Sequence, residues 1–135
     1  MRLRRRQERR GAIAVEFALT MPLLLVLIAA IIDFGWYFNQ QMMLLHSVRE
    51  GARTGATTSQ DGDPLGDAEA RVSAALMEAG LDASAATVTA SFSGTAPQEL
   101  ITVSATLPFQ PIVTLVPLPV SLNGELTMRM EDQPD

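Results

Sequence analysis

The chain of 135 residues is 47% hydrophobic and 19% charged, enough for one small folded domain plus one further element and too little for a large multidomain enzyme. Its net charge of -5 conceals a split: residues 1–11 carry six arginines against Glu8, whereas residues 12–135 carry four arginines against fourteen acids. With no lysine and an acidic remainder, the folded part is unsuited to phosphate contacts, which excludes nucleic acid as its partner. With no cysteine there is no disulfide framework, thiolate metal site or cysteine nucleophile, and the redox compartment stays open.

From Ala12 to Ile32 the chain reads AIAVEFALTMPLLLVLIAAII, in which Glu16, Thr20 and Pro22 alone depart from apolar character. As a helix rising about 1.5 Å per residue, the run is about 31 Å long, one hydrocarbon core, and predicts a transmembrane helix over 12–33. Asp33 ends the run, and Phe34, Trp36, Tyr37 and Phe38 follow at the depth where aromatic rings settle among headgroups. The arginines ahead of the span place the amino terminus in the cytoplasm and the rest outside. A cleaved secretory signal fits less well: the apolar run exceeds the usual h-region, and Asp33-Phe34-Gly35-Trp36-Tyr37 is no small-residue cleavage site. Pro22 removes one backbone donor, leaves the carbonyl of Ala18 without its helical partner, and predicts a kink that neighbouring groups can repair.

Beyond the aromatics, Phe34, Phe38, Met42, Leu45, Val48 and Ala52 recur at three- and four-residue spacing, which predicts a helical stalk over 34–56 with this face buried. Gly51 and Gly55, with Ala52 and Ala56, form a small-residue pattern that suits close helix packing and equally suits fraying at a helix end. The turn-forming stretch Gly55–Pro64 ends the stalk. A second helix over Pro64–Ala79 follows, capped by Asp63, with Pro64 first, Asp67 and Glu69 early and Gly80 just past its end. Its apolar face is Leu65, Ala68, Val72, Ala75, Leu76 and Ala79.

After Gly80 the period becomes two. Val88, Ala90 and Phe92, then Ile101, Val103, Ala105 and Leu107, then Val120, Leu122, Leu126, Met128 and Met130 read as three strands. Their connections hold Gly94 and Pro97, then the proline-rich Pro108–Pro119, which cannot be a central strand. The expected fold is α+β: a long amino-terminal transmembrane helix continuing as a stalk, a short second helix, and a small three-stranded antiparallel sheet. Residues 57–135 form an extracytoplasmic domain expected to fold without the span.

The residues that point to chemistry lie at the amino end. A carboxylate at the fifth residue of a span is costly in lipid and is functional by default, the alternative being a side chain that snorkels to the headgroups. A cut after Gly11 would make Ala12 a new amino terminus, with its ammonium and the Glu16 carboxylate at i,i+4. Between staggered neighbours the amine of one subunit would meet the carboxylate of another and fix the register of an assembly.

The segment RRGAIAVEFALTMP, Arg9 to Pro22, resembles the processing site of class III type IV prepilins: a short basic leader, a glycine before the cut, glutamate as the fifth mature residue, an aromatic sixth, then an apolar helix. The chain is most similar to the TadE-like family of pseudopilins, or minor pilins, of the tight adherence (Flp) pilus; VREGAR, Val48 to Arg53, and the strand-rich tail ending Met128-Arg129-Met130-Glu131 add to the likeness. The resemblance implies a basic leader over 1–11, insertion in the bacterial inner membrane, cleavage between Gly11 and Ala12 by prepilin peptidase, and docking of subunits through Glu16 and Phe17. It implies other pilins and pilus assembly-platform proteins as partners, beside inner-membrane lipid, and a role in pilus assembly or adhesion. Ala12 departs from the phenylalanine often methylated in type IV pilins, and the outer domain far exceeds the tiny major Flp subunit, which implies a minor component.

The alternative is an uncleaved single-span protein whose outer domain binds an assembly or surface partner. An enzyme is not expected. His46, Ser47, Arg49 and Glu50 hold catalytic residue types at consecutive helix positions that do not face one another, a lone histidine makes no ordinary zinc site, and phosphate loops, nucleophile elbows and HExxH helices are absent from the sequence. No cofactor and no metal are expected.

Overall fold

The computed structural model describes residues 2–59, 61–94 and 99–131, with side chains from Gly11 onward. The fold is α+β: helix α1 (Arg2–Thr57), helix α2 (Pro64–Glu78), a single 3-10 turn at Ala83–Ala85, and strands β1 (Thr87–Ser93), β2 (Leu100–Pro108) and β3 (Ser121–Arg129). The strands form an antiparallel sheet in the order β1-β2-β3. Two compact units emerge: Met1–Trp36 with Pro111–Leu118, and Tyr37–Gln110 with Pro119–Asp135. The last turns of α1 therefore pack in the same unit as the sheet. Pro97, expected in the β1–β2 connection, lies outside the described residues.

Helix α2 forms for the local reasons its sequence carries. The Asp63 carboxylate accepts from the Gly66 N–H at 3.0 Å, satisfying one of the orphan donors of the first turn, and Pro64 occupies a position that needs no donor. At the other end Gly80 adopts φ +76°, its N–H reaching the Met77 carbonyl at 3.0 Å while that of Leu81 reaches Leu76 at 2.9 Å, a left-handed cap that only glycine adopts cheaply. The helix buries Pro64, Ala68, Val72, Ala75 and Leu76, close to the expected face.

On the sheet, Ile101, Val103, Ala105 and Leu107 of β2 and Leu122 of β3 are buried, whereas hydroxyls line the opposite face. There Thr89 pairs with Ser104 at 2.7 Å and Thr102 with Thr127 at 2.8 Å, cross-strand bonds that hold the register without burying apolar area. The edge strand β1 is blunted from α2, since Glu69 accepts the Ala90 N–H at 2.9 Å. Val120, expected within the third strand, is 82% exposed and precedes β3, because the proline-rich run keeps the chain off the ladder until Ser121.

The buried face of α1 matches the expected one at Val48 and Ala52 and departs from it at the larger residues. Phe34, Phe38, Met42 and Leu45 are exposed, and the buried line in the second unit runs through Leu44, Ser47, Val48, Gly51, Ala52, Gly55 and Ala56. The physical reason is distance of approach. A Cβ on Gly51 would stand 2.8 Å from the Ala68 carbonyl oxygen, and one on Gly55 would stand 2.9 Å from both Ala68 Cβ and the Pro64 carbonyl oxygen. The glycines thus serve close packing of α1 on α2, and helix α1 persists past both of them to Thr57. The Ala56 carbonyl at the helix end receives the Glu131 N–H at 2.9 Å, and Arg71 of α2 pairs with both Glu50 of α1 and Glu78.

Because Leu44, Val48, Ala52 and Ala56 are part of this core, a fragment beginning at Tyr37 should unfold cooperatively in urea. A fragment beginning at Thr57 should not, since each lost apolar contact of the Leu44 kind removes about 2–5 kcal/mol from a small domain. Circular dichroism of the two fragments across a urea series checks this.

Candidate functional site

The first unit combines an apolar helix with a loop. Among the described residues one helix is long and apolar enough to cross a membrane, and it lies near the amino terminus. Its helical assignment continues through Pro22. Ile13, Val15, Phe17, Leu19 and Leu23 are 61–75% exposed, a continuous apolar surface that suits lipid or neighbouring helices and not water. The structure places Gly11, Ala12, Glu16 and Phe17 on this surface, all exposed. A Cβ at Gly11 would meet nothing within 4 Å, so no packing contact of this chain requires glycine there. The Glu16 carbonyl accepts from the Thr20 hydroxyl at 3.0 Å, an internal bond that compensates a polar group in an apolar setting.

Among the described residues the helix has one buried carboxylate, whose role the sequence does not reveal. Asp33 is fully buried. One of its oxygens accepts the N–H groups of Ile112 and Val113, each at 2.9 Å, and the other accepts the N–H of Thr114 at 3.1 Å. Three successive amides converging on one anion form a nest, and charge-assisted bonds of this kind are stronger than neutral ones. Thr114 has φ +59°, a left-handed conformation that is uncommon for a β-branched residue and survives where surrounding bonds over-determine it. Its hydroxyl donates to the Val113 carbonyl at 2.7 Å. The signals available beforehand were an acid placed directly at the end of an apolar run and a distant proline-rich stretch without charge; nothing in the sequence joined the two.

In the second unit the catalytic-looking quartet disperses. Ser47 is buried and donates to the Met43 carbonyl at 3.0 Å, while His46, Arg49 and Glu50 are exposed and Glu50 is occupied by Arg71. Tyr37 meets Phe109 edge to face with ring centres 5.1 Å apart. A shallow cleft of about 280 Å³ is lined by Gln40, Leu81, Asp82, Leu107 and Gln110 among others. No group of three or more His, Cys, Asp or Glu side chains suited to a metal ion occurs among the described residues.

Removing the carboxylate should release the loop. In Asp33→Ala the amides of Ile112, Val113 and Thr114 lose charged acceptors worth about 1.5–3 kcal/mol each. Their hydrogen exchange in detergent-purified protein should accelerate by at least about tenfold, since 1.4 kcal/mol is a factor of ten. Unchanged exchange at all three would show that the bonds do not order the loop.

The comparisons with known proteins bear on the same helix. No curated protein and no solved structure matches the chain. A family model does, over residues 11–53, and its description is TadE-like protein. The matched segment begins at the glycine of the expected processing site and ends at the last residue of VREGAR, so it takes in Gly11 to Pro22 and VREGAR and leaves out the basic leader and the strand-rich tail. A TadE-like segment and, among the described residues, one membrane-length helix are consistent with a membrane protein associated with the Tad pilus; the match shows a TadE-like segment over residues 11–53, about a third of the chain.

Proposed function

We propose that the protein is a minor pilin, or pseudopilin, of a Tad (Flp-type) pilus. It sits in the bacterial inner membrane with its amino terminus in the cytoplasm and residues 34–135 outside, is cut after Gly11 by prepilin peptidase, and acts in pilus assembly or adhesion without catalysing a reaction. The supporting observation is the family match that opens at Gly11 and takes in Glu16, on a helix whose apolar side chains this chain leaves uncovered.

The local physics suits that role. Backbone on both sides of Gly11 is helical, so a peptidase must first unwind it, and glycine is the residue that resists least. After cutting, the new ammonium at Ala12 and the carboxylate of Glu16 share one exposed helix surface. An isolated subunit gains little from an exposed pair in helical i,i+4 spacing. A neighbouring subunit that brings the two charges together away from water gains register and partner choice. Phe17, 62% exposed, adds apolar contact area beside the charge.

Two measurements test this reading. Intact mass and amino-terminal sequencing of membrane-purified protein from cells that have the peptidase should give a chain starting at Ala12, and Gly11→Ile should leave the leader attached. Retention of residues 1–11 in the unaltered protein would favour the uncleaved single-span alternative. Glu16→Gln keeps the side chain's shape and removes its charge. The variant should reach the membrane and be cut normally while co-purification with other pilus components falls by about tenfold, the effect of losing roughly 1.4 kcal/mol. Normal co-purification and piliation would end the charge-pairing mechanism, and loss of cutting would move Glu16 to peptidase recognition.

A further inference from the structure

We infer that the loop Pro111–Leu118 is a second membrane element, a short non-helical segment that enters the interfacial layer of the lipid bilayer beside the end of the span. The inference rests on the reading of residues 12–33 as that span.

The first observation is position. The loop belongs to the same compact unit as the membrane-length part of α1, and Asp33, the residue that ends the apolar run, holds it by the amides of Ile112, Val113 and Thr114. Ala29, one turn nearer the middle of the span, is 5% exposed, while Leu25, Ile28 and Ile32 on the remaining surface are 44–52% exposed. The loop is the other segment of that unit, and its anchor at Asp33 lies about one turn from Ala29, on the apolar side of the aromatic group that begins at Phe34.

The second observation is chemistry. Between Glu99 and Glu125 the sequence has no charged residue. The loop side chains Ile112 and Leu115 are 61% and 59% exposed, an unusual display for a loop in water. Lipid tolerates irregular backbone only where its polar groups are satisfied within the protein. In Pro111–Leu118 five of eight positions meet that demand on the donor side: Pro111 and Pro117 have no N–H, and three further amides donate to Asp33. The hydroxyl of Thr114 is also satisfied within the loop. The same nest that removes three donors from the lipid supplies the buried carboxylate with three partners, so the two costs of placing Asp33 and a loop at this depth offset each other. A partner protein surface would demand none of this suppression of backbone donors.

The absence of native cysteine makes the test direct. Single replacements Ile112→Cys, Leu115→Cys and, as a marker of the span, Leu23→Cys at a 74% exposed site carry an environment-sensitive nitrobenzoxadiazole label. The full chain is reconstituted in phosphatidylcholine–phosphatidylglycerol vesicles containing lipid with a nitroxide either near the headgroup or near the chain middle. The labels at 112 and 115 should lose emission chiefly to the shallow nitroxide, and the label at 23 chiefly to the deep one. Adding Asp33→Ala should abolish the shallow quenching in the Ile112→Cys protein and leave the deep quenching in the Leu23→Cys protein intact. Absence of quenching at 112 and 115 with quenching retained at 23 overturns the loop proposal and leaves the span standing. Absence at all three overturns both. A blue-shifted label at 112 that is unquenched by lipid and shifts red on dilution of protein in lipid would show a second copy covering the loop, and would likewise overturn it.

Discussion

The architecture depends on how closely α1 approaches α2. Two glycines one turn apart, Gly51 and Gly55, remove the side chains that would otherwise collide with Val72, Ala68 and the Pro64 carbonyl. Val72 and Ala68 are then fully buried against a helix that contributes almost no side-chain volume of its own at that level. Larger residues take over where the helix packs on the sheet: Leu44 and Val48 lie against Gly124 of β3, so volume missing from one partner is supplied by the other. Dense packing of this alternating kind makes the end of a membrane-type helix a structural part of a small soluble-type core. A domain with a single three-stranded sheet and one fifteen-residue helix has little other apolar surface from which to build one.

Elements with strong local signals were legible in the sequence, and relationships between distant segments were not. The apolar run of 12–32, the Asp63–Pro64 start and Gly80 stop of α2, and the alternation in the strands each announce themselves within a few residues, and the structure carries all of them. The buried face of α1 was misread in part, for an equally physical reason. Periodicity selects Phe34, Phe38, Met42, Leu45, Val48 and Ala52, of which Val48 and Ala52 are buried; contact with a neighbouring helix favours glycine and alanine, whose hydrophobicity is slight. A stripe of large apolar side chains on a helix that meets lipid can face outward, so size and burial part company in such a chain.

The candidate site divides in the same way. Gly11, Ala12, Glu16 and Phe17 were found from a motif, and the structure adds that they lie on an exposed helical surface; the family match over residues 11–53 bears on the segment and not on the individual roles. The Asp33 nest was invisible beforehand because its partners stand about eighty positions away and consist of backbone, which carries no sequence signature. What the sequence did display was a negative pattern, prolines and the absence of charge, which had been read merely as exclusion from the sheet.

These features share one constraint, the cost of an unsatisfied polar group where water is scarce. Thr20 returns its hydroxyl to the Glu16 and Phe17 carbonyls, Ser47 returns its own to Met43, and Asp33 accepts three amides with its two oxygens. Against this background Glu16 stands apart in the apolar segment: it lies exposed on the helix surface, without a set of donors like that around Asp33 among the described residues. Side chains at 20, 33 and 47 are satisfied within the chain, whereas the side chain at 16 is exposed, which leaves it open to a group outside the chain on the proposed reading. On the proposed reading, in which the chain is cut after Gly11, the new amine of a neighbouring subunit would match that charge in sign and in depth and would be present only after processing.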